Sequence, residues 1–97
     1  MEAPVNRQLG RLDVSYDREV DILYLSIGHP RRANTVEDRD GLLLLKDLDT
    51  AQVIGVTVLD YDQKFRRLRD LSWLMKRRDL PRDIVNYLIE RTPAHHY

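Results

Sequence analysis

The sequence predicts an α+β fold: an antiparallel β-meander of four to five short strands, followed by two C-terminal α-helices packed on one face. Three observations carry this reading. Apolar residues alternate with polar ones at a period of two across residues 12–27. Turn-forming Asp and Gly residues separate the apolar runs as far as residue 59. From residue 62 the apolar spacing changes to that of an amphipathic helix.

Leu12, Val14 and Tyr16 alternate with Asp13 and Ser15, and Leu23, Leu25 and Ile27 alternate with Tyr24 and Ser26. These are two half-buried strands. Between them Asp17-Arg18-Glu19-Val20 fits a type I turn, in which the first Asp bonds back to the backbone. Pairing Tyr16 with Asp21 sets Val14 against Leu23 and Leu12 against Leu25, giving one apolar face. Gly28-His29-Pro30 ends the second strand. A short strand is expected around Asn34 to Glu37, with a hairpin turn at Asp40-Gly41. Strands at Leu42 to Leu45 and Val53 to Leu59 then flank the polar loop 46–52.

A helix from about Asp62 to Arg77 places Phe65, Leu68, Leu71, Ser72 and Met75 on one side. Asp79 reads as the cap of a second helix, with Pro81 in its first turn and Ile84, Val85, Leu88 and Ile89 as its apolar stripe. Thr92-Pro93 ends the helical part, which covers 62–92, and residues 93–97 form a tail. The 97 residues make a single domain with no linker, repeat or low-complexity segment.

An apolar content of 42% beside 33% charged residues describes a soluble protein rather than a disordered or membrane one. The longest aliphatic run, Leu42 to Leu45, is too short to span a bilayer. MEAPVNRQLG has no apolar stretch, so it is not read as a signal peptide, and a cytoplasmic location is expected. With no cysteine, disulfide scaffolds, thiolate zinc sites and cysteine nucleophiles are excluded together. Residues 1–60 carry seven Lys/Arg against eleven Asp/Glu, and residues 61–97 carry nine against five. The acidic and basic halves either mark a binding surface or pack on one another.

"YDREVDILYL" resembles the opening hairpin of a family of small prokaryotic proteins known as domain of unknown function 2283. The matching residues are Tyr16, Asp17, Glu19, Asp21, Leu23 and Tyr24, then Asp40-Gly41, Asp47, Asp49 and "GVTVL" from Gly55 to Leu59. The likeness covers about residues 12–59. Thr57 stands where the family favours Glu, and Ala51 where it favours Gly. The resemblance implies a small β-rich fold and no activity, since the family is uncharacterised. Members encoded beside small toxin-like proteins add the expectation of an antitoxin-like role.

Asp17, Glu19 and Asp21 stand two positions apart and invite a metal reading. Calcium needs six to eight oxygen ligands in a loop folded around the ion. A calcium-type loop starting at Asp17 puts Ile22 at the glycine position and Gly28 at the bidentate glutamate position; one starting at Asp47 puts Gln52 and Val58 there. Both fail, so turn formation is the better account of these acids. His29 lies in a turn and His95 and His96 in the tail, with nothing to gather them into a zinc site. Ser15, Ser26 and Ser72 lack a nucleophile elbow, and the four glycines form no phosphate loop. No catalytic residue, metal or cofactor is assigned.

Trp73 falls off the expected apolar face of the first helix. On that helix it shares a stripe with Arg66, Arg69, Lys76 and Arg77. Indole framed by guanidinium groups suits a protein interface or a single-stranded nucleic-acid groove. It equally suits internal packing, with the indole over a sheet edge and arginine stems alongside.

The function read from these features is a non-catalytic interaction module that self-associates and binds another protein, its partner encoded nearby. The alternative is a small nucleic-acid-binding regulator of antitoxin type that uses the basic helix, residues 62–78. A carboxylate-metal hydrolase at the hairpin ranks third. A homodimer is expected because two short helices cover only one sheet face, while the run Leu42 to Leu45 is apolar on both faces of its strand and Ile22, Tyr24 and Val53 add to the face opposite Leu23 and Leu25.

Overall fold

The computed structural model describes residues 5–29, 31–68 and 70–91. Six strands form one antiparallel sheet: β1 (Val5–Leu9), β2 (Leu12–Asp17), β3 (Ile22–Ile27), β4 (Ala33–Glu37), β5 (Leu42–Asp47) and β6 (Val53–Leu59). Their order across the sheet is β1-β2-β3-β6-β5-β4. Two three-stranded meanders therefore meet through β3 and β6, and the connection from β3 to β4 passes from the centre of the sheet to its far edge. Two short helices follow, α1 (Ser72–Met75) and α2 (Arg82–Arg91). The class is α+β as expected, with one strand more than the four or five expected.

The additional strand, β1, pairs with β2 through the two-residue turn Gly10-Arg11, with Leu9 opposite Leu12. It was invisible to periodicity because Val5 and Leu9 are its only apolar residues. An edge strand is held by backbone bonds on one side and needs little apolar surface.

The β2–β3 register differs from the expected one by two residues. Tyr16 pairs with Leu23, Val14 with Leu25 and Leu12 with Ile27. The slip is an even number, so the same side chains share the core face, and apolar alternation cannot distinguish the two registers. The loop decides. Asp17 Oδ1 does accept from the Glu19 amide at 3.1 Å, the side-chain bond expected of an Asp at the first turn position. Asp21, however, enters the left-handed region (φ 58°) before β3 begins, which lengthens the connection.

Leu12, Val14, Leu23, Leu25, Ile27, Leu42, Leu44, Val56 and Val58 form the core face of the sheet. Leu74, Leu80, Ile84, Val85 and Leu88 cover it from the helical side. Burying each such aliphatic side chain stabilises by roughly 1.5–3 kcal/mol. Ile84, Val85 and Leu88 are fully buried, so the stripe read for the second helix holds. Its cap does not. The amides of Ile84 and Val85 bond to the Pro81 carbonyl, while Asp79 turns away to Arg77.

The expected helix over residues 62–77 is not continuous. It resolves into a single 3-10 turn at Phe65–Arg67, an extended Leu68 (φ −68°, ψ 132°) and the one-turn α1. Phe65 and Leu74 explain the break. They lie nine residues apart, which at about 100° per residue sets them on opposite sides of one helix. The core takes both, at 6% and 0% exposure, so the chain must re-aim between them. Asp70 restarts the helix by accepting from the Ser72 amide at 2.9 Å. Leu68 and Met75, expected inside, face solvent.

Two backbone positions show where sequence is dictated by space. A Cβ on Gly55 would lie 2.8 Å from the Leu25 carbonyl oxygen of the paired strand, so only glycine lets β3 and β6 meet. Ile54, beside it, is the unpaired residue of a bulge, because Leu45 pairs with Gly55 and Lys46 with Val53. Ala51 adopts φ 64° in the β5–β6 loop, a conformation that favours glycine. Ala51→Gly should therefore raise stability by about 0.5–1 kcal/mol, since relieved strain exceeds the added chain entropy. A urea midpoint that moves down at unchanged slope would contradict this.

Candidate functional site

The acidic hairpin is occupied by the protein itself. Asp21 Oδ1 accepts from the Tyr16 hydroxyl at 2.7 Å and from the Asp62 amide at 2.7 Å, and Oδ2 accepts from the Gln63 amide at 3.0 Å. The Tyr61 amide also donates to the Asp21 carbonyl at 3.0 Å. Both carboxylate oxygens thus hold the chain as it leaves β6. Burial pushes the Asp21 carboxyl upward, but the Tyr16 hydroxyl, the two amides and the Arg66 guanidinium outweigh it and hold the group below the usual carboxylate range. Burial first, then the bond to Asp21, raises the Tyr16 phenol above the usual tyrosine range.

An aromatic ladder continues from this clamp. Tyr16 meets Tyr61 edge-on with centroids 5.8 Å apart, Tyr61 stacks on Phe65 at 5.9 Å, and Phe65 meets Trp73 edge-on at 6.3 Å. Trp73 is half-buried and packed against the core. Its indole is one end of an internal stack.

The basic stripe does not assemble as one helical face. Arg66 bonds to Asp62 at 2.6 Å. Arg77 is a clamp: Nη1 reaches Asp38 and Asp40, each at 2.9 Å, while Nε and Nη2 grip both oxygens of Asp79 at 2.9 and 2.8 Å. The Arg77 fork comes first among the causes that hold the Asp79 carboxyl below its usual range. Lys76 is exposed, and Arg69 lies outside the described residues. The stripe expected for Arg66, Trp73, Lys76 and Arg77 depended on an unbroken helix, and Arg66 and Arg77 are instead drawn to separate carboxylates.

The remaining signature residues have local roles. Asp38 Oδ1 accepts from the amides of Asp40 and Leu42, each at 2.9 Å, and Gly41 completes the turn at φ 83°. Asp47 Oδ1 accepts from the Asp49 amide at 2.7 Å, and Oδ2 pairs with Arg31 at 3.3 Å. Glu19 and His29 are exposed, and His95 and His96 lie outside the described residues. Among the described residues no group of three or more His, Asp or Glu side chains could hold a metal ion.

The surface that the fold leaves open is the second sheet face. Strand registers place Ile22, Tyr24, Leu43, Leu45, Thr57, Leu59 and Gly55 on it, with Asp13, Ser15 and Asp17 at one side and Ala33, Thr35 and Glu37 at the other. No described helix covers it. Tyr24 and Leu59 are 42% and 44% exposed, whereas Thr57 at the centre is buried by its neighbours. The sequence places Ile22 and Tyr24 here correctly and Val53 as well; Val53 instead joins the core cluster, and the register adds Leu43 and Leu45. The bulge before Gly55 breaks strict alternation at this point.

Two outcomes test the clamps. A carboxyl with a lowered folded pKa stabilises fully above its unfolded value, about 3.9, and loses that contribution as pH falls through the lower folded value. Asp21→Asn should cost about 1–2 kcal/mol at neutral pH, and the gap between variant and wild type should close in urea titrations below about pH 4. A gap independent of pH would contradict the ionised clamp. Trp73→Ala should destabilise by about 2–3 kcal/mol, somewhat less than a fully buried aromatic. Unchanged thermal stability would return Trp73 to the surface role.

No family model matches the chain, and neither a curated protein nor a solved structure does.

Proposed function

We propose that the chain is a non-catalytic interaction module that self-associates and docks a second protein. The uncovered sheet face carries this reading. Its centre is uncharged across β3, β6 and β5 and apolar around Thr57, with carboxylates confined to the margins. A partly exposed, largely apolar sheet face of this kind suits a contact with another protein. The ionisable clusters support the same reading, because their oxygens and guanidinium groups are spent on the fold. Asp21 holds a loop and Arg77 holds two turns. Among the described residues no helix is long and apolar enough to cross a membrane.

The nucleic-acid alternative loses its main support when the basic stripe divides. The hydrolase alternative loses its own when Asp21 is filled by internal donors. Self-association is the part that can be measured without a known partner. Sedimentation velocity should show a dimer in the micromolar range, the commonest closed assembly. Monomer alone at high micromolar concentration would contradict the reading.

A further inference from the structure

Strand β4 is one edge of the sheet, paired only to β5. The Asp38 amide donates to the Leu42 carbonyl at 2.9 Å, and the Leu48 amide donates to the Arg32 carbonyl at 3.1 Å. Both pairs belong to one antiparallel register, in which Asn34 opposes Lys46 and Val36 opposes Leu44. Hydrogen-bonded pairs alternate along such a ladder. Asn34 and Val36 therefore bond inward to β5, and Ala33, Thr35 and Glu37 direct their N–H and C=O groups outward.

Among the described residues no strand beyond β5 pairs with β4. Natural edges are blunted by proline, lysine, a bulge or a covering segment. The strand reads ANTVE, has no register shift against β5, and is exposed from Asn34 to Glu37. We infer that β4 is the self-association contact of this module, pairing antiparallel with β4 of a second copy about a two-fold axis at Thr35. This rests on the reading of the chain as self-associating and names its surface.

The register follows from the outward groups. With the axis at Thr35, Thr35 exchanges both backbone bonds with its own copy, and Ala33 exchanges both with Glu37 of the other copy. Every outward N–H and C=O of the three residues is then satisfied. Cross-strand Thr–Thr pairs are favourable. At the ends of the paired strands Arg32 of each copy comes opposite Asp38 of the other, whose carboxylate is already held by Arg77; the backbone bonds therefore carry the pairing. The opposite edge, β1, has Arg7 at its middle, and self-pairing about it would set like charges together. Pairing through β4 leaves the apolar face of both copies open for a partner and extends it across a continuous sheet.

Amide hydrogen exchange of the full chain, followed over concentration, reads the edge directly. The amides of Ala33, Thr35 and Glu37 should slow as dimer forms, while those of Asn34 and Val36 stay slow throughout. Thr35→Pro removes an outward N–H without touching the β4–β5 ladder. Thr35→Lys sets like charges at the axis and guards against misfolding of the proline variant. Each should weaken the dimer at least ten-fold, and Leu43→Glu on the open face should leave it intact. Free exchange at residues 33, 35 and 37 in a dimeric sample would overturn the assignment. Dissociation by Leu43→Glu alone would overturn it too, while sparing the self-association reading. A monomeric wild type would remove both.

Discussion

The Asp21 carboxylate is the constraint on which the rest of the structure depends. It sits at the end of the β2–β3 loop, yet two of its three hydrogen bonds go to residues just beyond β6. The chain leaving the sheet centre is thereby turned onto the face that carries Leu23, Leu25, Val56 and Val58. Tyr61, Phe65 and Trp73 then stack in sequence behind Tyr16. Leu74 and α2 follow onto the same face. Leu74, Leu80, Ile84, Val85 and Leu88 are committed to that side, and no described helix covers the other. A local hydrogen-bond choice thus sets which surface is core and which is open.

Charge is used in the same way. The acidic first sixty residues meet the basic remainder through Arg77, which pairs with Asp38 and Asp40, while Arg11 and Asp83 join the halves in the reverse sense. Asp38 and Arg77 are mostly buried, so losing the guanidinium would strand a carboxylate, a costly outcome. The asymmetry read from composition therefore describes two halves packing on each other. Among the described residues, a largely apolar sheet face and the β4 edge face solvent.

Most of the sheet was legible because alternation and turn chemistry are local signals. Val53–Leu59 was bounded as observed, and the Asp40-Gly41 turn and the α2 stripe were placed correctly. The β2–β3 register was not legible, since a shift of two residues preserves the apolar face. The continuous helix failed for a related reason: a helical wheel assigns faces within one element and carries no information about a break between Phe65 and Leu74. The clamps escaped because their partners lie far apart in sequence, Asp21 with Asp62 and Arg77 with Asp38. One trace was present. Asp38, Asp40 and Gly41 are closely spaced, and such a turn offers two carboxylates to whatever cation the fold brings near.

A double-mutant cycle on Tyr16→Phe and Asp21→Asn tests the central claim most directly, because it isolates the bond that joins the hairpin to the clamp. Urea unfolding at neutral pH should give a coupling energy of about 1 kcal/mol or more, as expected for residues in one hydrogen-bond network. Additive costs, within about 0.3 kcal/mol, would show that Tyr16 and Asp21 act independently and would contradict a single network joining the hairpin to the chain beyond β6.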